Sequence, residues 1–194
     1  MIHEPSTTWQ KIARRIRVPV GFAFAVLYIW LAHPTGKSLA IGTVFVTAGI
    51  AVRALASGHL KKNEELATSG PYAYTRNPLY FGSLILALGF AIAARNWWIA
   101  ALLVLIFVTI YVPVIGAEEA FLRTKFPEFA KYSAEVPRII PCFRSPRPYQ
   151  PGFSWGLYLK HREYNAAIGS VALLAALIAK LLWNFHTTAL SSIS

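Results

Sequence analysis

The stretch PLYFGSLILALGFAIAARNWWIAALLVLIFVTIYVPVIG, residues 78–116, decides the fold of this chain. It contains two apolar segments, 78–94 and 97–116, separated only by Arg95 and Asn96. A bilayer-spanning helix needs ~20 residues, with a range of about 17–25. A two-residue connection leaves no room for anything but an antiparallel pair, and Trp97 begins the second segment where an interfacial aromatic belt is expected. The stretch therefore predicts a transmembrane helical hairpin.

Three more apolar segments flank the hairpin, at residues 18–32, 39–56 and 166–183. Hydrophobic residues make up 56% of the 194 residues and charged residues 14%, against roughly 25% charged in soluble domains. We predict one domain, 1–194, that is all-α: an integral membrane bundle of about five transmembrane helices. The first segment is short and follows basic residues like a signal peptide, but it lacks a small-x-small cleavage site and is predicted to be retained.

Two features of the helices refine this prediction. Gly42 and Gly49, like Gly82 and Gly89, lie seven residues apart and favour close helix packing. Helical periodicity in the fourth segment continues to Phe126, so the helix 97–126 would be ~45 Å long. It would project beyond the ~30 Å hydrocarbon core, with Pro113 as the expected place of a bend.

The distribution of positive charge predicts the orientation. If the N-terminus is cytoplasmic, fifteen Lys and Arg residues lie on that side, and only Lys37 and Arg95 lie opposite. The C-terminus then lies on the opposite side. This topology accounts for the net charge of +11 without nucleic acid, for which no basic recognition helix is present. A lone cysteine, Cys142, excludes an internal disulfide, and the five histidines have no paired ligand spacing, so no metal site is predicted.

The polar run Gly70–Tyr80, GPYAYTRNPLY, leads into the third segment. Two prolines restrict its backbone, and the hairpin brings it beside Glu118 and Glu119 at the end of the fourth segment. Tyrosines, Arg76, Asn77 and two carboxylates would then form a polar pocket bordering lipid. The simpler alternatives are an ion pair between Glu119 and Arg123 on one helix face, and interfacial anchoring by Arg76 and the tyrosines.

Two cations fall inside apolar segments. Arg53 lies near the cytoplasmic end of the second segment, where an ionisable residue is a functional candidate. Lys180 in the last segment is expected to extend its ammonium to the far interface.

These motifs resemble the isoprenylcysteine carboxyl methyltransferase and phospholipid methyltransferase superfamily of membrane enzymes. That superfamily has Gly-x-Tyr and Arg-His-Pro-x-Tyr, a hydrophobic hairpin, a Glu-Glu pair, Phe-Gly-x-x-Tyr-x-x-Tyr and Val-Pro-Arg-x-x-Pro. The matching residues lie within 53–141: Gly70-Pro71-Tyr72, Arg76-Asn77-Pro78-Leu79-Tyr80, Glu118-Glu119 and Val136-Pro137-Arg138-Ile139-Ile140-Pro141. The extra helix 166–183 follows the motifs.

The chain departs from the pattern at three places. Asn77 stands in place of the histidine, and Pro127 in place of the glycine after Phe126. The eukaryotic enzymes have an arginine shortly before the glutamates, where this chain has residues 113–116, PVIG. Arg53 or Arg123 is the possible substitute for that charge.

The resemblance implies methyl transfer from S-adenosyl-L-methionine to a lipid or lipid-linked acceptor, with a cytoplasmic cofactor pocket. Glu119 or Glu118 would bind the cofactor's ammonium, Arg76 its carboxylate, and Tyr72 or Tyr80 its sulfonium. The implied cofactor set is Glu64, Glu65, Leu66, Tyr72, Arg76, Asn77, Pro78, Leu79, Tyr80 and Glu119. The implied catalytic residues are Glu118, which would take the proton of an amine acceptor, and Arg53.

Three alternatives remain open from the sequence. They are a phospholipid amine N-methyltransferase, a nicotinamide-dependent membrane reductase with a similar Arg-His-Pro-x-Tyr segment, and a non-enzymatic membrane module. Saturable binding of S-adenosylhomocysteine would separate the methyltransferases from the other two.

Overall fold

The computed structural model describes residues 24–62, 64–145 and 152–191. Within them the regular structure is helical: α1 (24–31), α2 (Gly36–Gly58), α3 (Pro78–Ala94), α4 (Trp97–Lys125), α5 (Phe129–Glu135), α6 (Trp155–Lys160) and α7 (Tyr164–Ser191). A 3₁₀ turn covers Gly70–Ala73. No strand occurs in this part of the chain, which confirms the all-α prediction.

Three of these helices are long and apolar enough to cross a membrane: α2, α4 and residues Tyr164–Thr188 of α7. α3 is shorter, with 17 residues, and lies at the lower end of the range of about 17–25 for a span. The protein is therefore an integral membrane helical bundle. Residues 18–23 of the first predicted segment lie outside the described residues, and its remainder contains α1.

Four glycines let α2 and α3 pack at very short distance. A Cβ atom at Gly42 would lie 2.7 Å from the carbonyl oxygen of Gly89, and one at Gly49 would lie 2.7 Å from that of Gly82. Both distances are too short for a real Cβ, so the two glycine pairs allow direct contact between the helix backbones. The predicted close packing is confirmed, with the two pairs facing one another.

The connection between α3 and α4 is a two-residue turn. Arg95 adopts the left-handed conformation, with φ of 50°. The side chain of Asn96 then caps α4 by accepting from the amide of Trp98 at 2.9 Å, and its Nδ2 donates to the Leu31 carbonyl oxygen at 2.8 Å. The turn that the sequence predicts is thus tied to the end of α1.

α4 is one helix of 29 residues with a π-helical turn at Phe107–Tyr111. Pro113 has no N–H for the usual bond to Thr109, and the Val112 amide reaches back to the Phe107 carbonyl instead. At 1.5 Å per residue α4 is about 44 Å long. It ends at Lys125 with Phe126 as its C-cap, within one residue of the prediction.

The ammonium of Lys180 donates to the carbonyl oxygens of Ile29, Trp30 and Ala32 at 2.7–2.9 Å. Its position agrees with the expected far end of the bundle, beside the α3–α4 turn. However, it binds protein carbonyls there, at the negative end of the α1 dipole.

Candidate active site

The polar site lies at the end of α3 and α4 opposite their turn, and it begins with the 3₁₀ segment. Gly70 has φ of +55°, and a Cβ there would lie 2.5 Å from Nε2 of His59. Glycine is therefore required both by its backbone and by the histidine ring packed against it. The Tyr72 that follows is 6% exposed and receives a hydrogen bond on its carbonyl oxygen from the Tyr132 hydroxyl, at 2.8 Å.

A second segment, residues 136–142, runs beside the loop before α3. The Arg76 amide donates to the Pro137 carbonyl at 2.9 Å, and the Cys142 amide donates to the Tyr74 carbonyl at 3.0 Å. The Thr75 hydroxyl donates to the Ile139 carbonyl at 2.9 Å. These bonds bring the Val-Pro-Arg motif against the Arg-Asn-Pro motif, which is some sixty residues away in the chain.

Glu119 joins these segments to α4. Its Oε1 lies 3.1 Å from Nε of Arg76 and accepts from Nδ2 of Asn77 at 3.0 Å. Its Oε2 lies 3.1 Å from Nε of Arg138. The Arg123 guanidinium, the alternative partner, lies instead over the Phe129 ring.

Arg138, like Arg76, approaches the glutamates. A Cβ at Gly116 would lie 3.4 Å from Nη2 of Arg138, so this guanidinium lies beside the part of α4 where the family arginine is missing. The side chain of Arg138 is 43% exposed, against 15% for Glu119.

Arg76 is held more deeply. Its Nη1 donates to the Ser133 carbonyl at 2.6 Å. Its Nε is buried and, although 3.1 Å from Glu119, is not aligned with that carboxylate for a hydrogen bond. The contact is therefore one of charge, and it leaves a buried donor available to another acceptor.

Glu118 faces a different group of residues. The Glu118 carboxylate lies near the Tyr80 hydroxyl, and the Tyr80 ring meets Tyr111 edge-on at 5.7 Å. Burial raises the pKa of the Tyr72 hydroxyl, and the nearby Tyr132, Glu118 and Glu163 raise it further. Tyr72, Tyr80 and Glu118 thus share one neighbourhood, as the sequence predicts.

Arg53 pairs with a residue that the sequence analysis did not identify. It binds Glu163 through Nε at 3.0 Å and Nη2 at 2.8 Å, while Nη1 donates to the Ser83 hydroxyl and the Leu79 carbonyl. The one signal in the sequence is that Glu163 is the only acidic residue after Glu135. Arg162, with φ of 55°, turns the chain between α6 and α7 just before it.

The other predicted cofactor residues are divided. Glu64 and Glu65 extend outward, with side chains 62% and 59% exposed, and pair with Lys160 and Lys61. Leu66 packs against the cluster of Phe129, Tyr132 and Val136. Pro78 begins α3, and Leu79 contributes its carbonyl to Ser83 and Arg53. The two glutamate side chains are therefore not brought into the cluster around Glu119.

An apolar cavity of about 370 Å³ adjoins the polar site within the bundle. Its walls come from α1, α2, α3, α4 and α7, and its polar groups include Tyr28, Arg53, Ser83, Tyr111 and Ser170. A second apolar cavity of about 290 Å³ lies between α3 and α4 and shares Ser83, Ala87, Leu103 and Tyr111 with the first. Ligand pockets typically measure about 300–1,000 Å³.

The polar cluster and the apolar cavity thus adjoin within one membrane helical bundle. The family model for phospholipid methyltransferases matches residues 16–128. This chain belongs to the phospholipid methyltransferase family. Membership in this family supports a role in membrane methyl transfer. The matched region ends at residue 128, before Arg138 and Glu163.

Individual relatives of this phospholipid methyltransferase family member have varied names. It is 31% identical to a cobalt-zinc-cadmium resistance protein of Cupriavidus metallidurans over 78% of this chain and 72% of the relative. It is 36% identical to a nickel-cobalt-cadmium resistance protein of Alcaligenes xylosoxydans xylosoxydans over 46% of this chain and 43% of that protein. It is 28% identical to the Schizosaccharomyces pombe protein-S-isoprenylcysteine O-methyltransferase over 69% of this chain and 59% of that enzyme. No solved structure matches.

Membership in a methyltransferase family implies S-adenosylmethionine as the methyl donor, and the residues at this site fit its charges. Glu118 and Glu119 suit an ammonium and a sulfonium, while Arg138 and the buried Nε of Arg76 suit a carboxylate. Within the described residues, no group of three or more His, Cys, Asp or Glu side chains is placed to hold a metal ion.

Proposed function

We propose that this protein transfers a methyl group from S-adenosylmethionine to a lipid or lipid-linked acceptor at the cytoplasmic face of the membrane. One observation supports it above all. Tyr80 lies near Glu118 on one side and packs against Tyr111, a residue of the cavity wall, on the other. A polar cofactor bound near Glu118 and an apolar acceptor in the cavity would therefore be separated only by the Tyr80 side chain.

The cluster around Glu119 is proposed to hold the amino-acid end of the cofactor. Arg76 and Arg138 would bind its carboxylate, because charge-assisted bonds to carboxylates are the strong ones. Glu119 would bind its ammonium once the half-exposed Arg138 moves from Oε2. Asn77 would keep Oε1 in place, and it is 8% exposed.

S-adenosylmethionine supplies a methyl group activated on a sulfonium, so the protein's main task is positioning. The Tyr80 ring, fixed between Glu118 and Tyr111, is proposed to face that cation. An acceptor carboxylate needs no base. An acceptor amine must lose a proton, and Glu118 is proposed to accept it because its carboxylate lies near Tyr80, which packs against the cavity residue Tyr111.

The decisive experiment measures S-adenosylhomocysteine binding to the purified, detergent-solubilised protein by calorimetry. We expect saturable binding that Glu119→Gln weakens at least tenfold, since loss of one partner of a buried ion pair costs about 3–5 kcal/mol. Glu128→Gln, an exposed change on the same side of the bundle, is the matched control. Absence of binding, or wild-type affinity in Glu119→Gln, would contradict the proposed cofactor site.

Binding would also exclude the nicotinamide-dependent reductase and the non-enzymatic module. A labelled-methyl assay with lipid extracts would then distinguish an amine acceptor from a carboxylate acceptor. The metal-resistance names belong to two relatives, and we propose no metal-binding role, since no described contact favours one.

A further inference from the structure

The Arg53–Glu163 ion pair stands at the polar end of the apolar cavity. Arg53 and Ser83 both line that cavity. Glu163 reaches Arg53 from just before α7, 110 residues away in the chain, and the two side chains are only 23% and 14% exposed. An ion pair at this position affects which molecules can enter the cavity.

Most donors of the guanidinium are engaged. Nε and Nη2 bind the Glu163 carboxylate, and Nη1 donates to the Ser83 hydroxyl and the Leu79 carbonyl. Glu163 also compensates the charge of Arg53, so an anionic group entering the cavity would have to compete with Glu163 for the guanidinium.

The surrounding charge also disfavours an anion. Glu118 lies near the same end through Tyr80 and Tyr111, and both Glu118 and Glu163 act on the Tyr72 hydroxyl. Two carboxylates thus face this neighbourhood with Arg53 as the cation bound to one of them. Both carboxylates would repel an entering anion.

We propose that Glu163 determines specificity: by pairing with Arg53 and compensating its charge, it excludes anionic amphiphiles from the cavity and reserves it for amphiphiles with a cationic polar end. This inference rests on the proposed function for its biological meaning, since the cavity would be the acceptor site. It assigns a role to a residue of the C-terminal helical region, outside the family match at residues 16–128.

The test uses two photoreactive probes, stearic acid and stearylamine, with the same diazirine in the same position of the chain. The full-length protein in nanodiscs is labelled at a pH where both probes are ionised. Mass spectrometry then quantifies labelling of the α4 and α7 peptides that contain Leu103 and Leu173, both cavity-lining residues. The readout needs neither cofactor nor turnover, so its failure is distinguishable from failure of the proposed methyl transfer.

We expect the wild type to favour the amine probe by roughly tenfold or more. Glu163→Gln leaves Arg53 uncompensated and should reverse the preference. The double variant Arg53→Gln/Glu163→Gln, which keeps a neutral hydrogen-bonding pair, should not reverse the preference and should retain only the part of the amine preference that Glu118 contributes. Glu128→Gln should retain the wild-type ratio.

Equal labelling of the wild type by both probes would overturn the inference without any variant, even if Glu163→Gln fails to fold. A wild-type ratio in folded Glu163→Gln would also overturn it. A shift in Glu128→Gln as large as in Glu163→Gln would attribute the effect to surface charge, and would overturn it as well.

Discussion

At the scale of single residues, Asn77, which replaces the histidine of the family motif, is the clearest departure that the structure explains. Its Nδ2 donates to Glu119 at 3.0 Å and to the Arg138 carbonyl at 2.9 Å. A primary amide has two hydrogens on one nitrogen, whereas each histidine ring nitrogen carries at most one. Asn77 can therefore bridge α4 and the 136–142 segment from a single atom.

The two adjacent glutamates should behave differently when changed. Glu118→Gln should retain S-adenosylhomocysteine affinity but lower turnover of an amine acceptor by about 10²–10⁴-fold, the usual contribution of a general base. Single-turnover kinetics beside calorimetry would check this. Loss of binding with turnover per bound complex unchanged would assign Glu118 to cofactor binding instead.

The buried Tyr72 hydroxyl should lower the free energy of unfolding at alkaline pH. Its pKa is raised from the ordinary value of 10.0 in the folded state, so the folded protein keeps a proton that the unfolded chain releases. Stability should therefore fall as pH rises above 10, by about 1.4 kcal/mol per unit for this group.

Thermal unfolding of Tyr72→Phe across alkaline pH measures this effect. The variant should show a shallower decline than the wild type, and Tyr74→Phe, at a position 37% exposed, should not. Parallel curves for wild type and Tyr72→Phe would be incompatible with this role of the Tyr72 hydroxyl.

At the scale of helices, α2 and α3 form the most tightly fitted pair. The glycines at 42, 49, 82 and 89 place the backbones against each other, and Arg53, on α2, reaches Ser83, on α3, just beyond the Gly49–Gly82 contact. The close approach thus sets the depth at which Arg53 enters the cavity.

Gly49→Ala should destabilise the bundle. Its Cβ would lie 2.7 Å from the Gly82 carbonyl, and overpacking of this kind costs about 1–3 kcal/mol. Gly36→Ala, with nothing within 4 Å of the added Cβ, is the matched control and should unfold like the wild type. Equal thermal unfolding of the two variants in detergent would mean that α2 and α3 pack less closely.

At the scale of the whole molecule, the helical bundle has two ends with different groups of residues. The α3–α4 turn, the end of α1 and Lys180 lie at one end. Glu119, Arg76 and Arg138 lie at the other. The charge bias predicts that this second end is cytoplasmic.

Reporter fusions test this orientation. A fusion after Ala94 should report an external position, and one after Arg144 a cytoplasmic position. We expect this contrast because Lys37 and Arg95 are the basic residues on the predicted external side, whereas many more lie on the predicted cytoplasmic side. Identical locations for the two reporters would rule out the predicted topology.

The sequence by itself determined the helical bundle, the hairpin turn, the close-packing glycine faces and the length of α4. These features depend on local properties: apolar length against bilayer thickness, a two-residue connection, and residue size and periodicity at a fixed helical spacing. The neighbourhood of Tyr72, Tyr80 and Glu118 also followed, because a tight hairpin brings its two open ends together.

Only the tertiary structure decided the partners of the charged residues. Glu119 binds Arg138 across a stretch whose path the motifs do not specify, and Arg53 binds Glu163 over 110 positions. Such pairs depend on how each helix is rotated and how deeply it sits, which local periodicity does not encode.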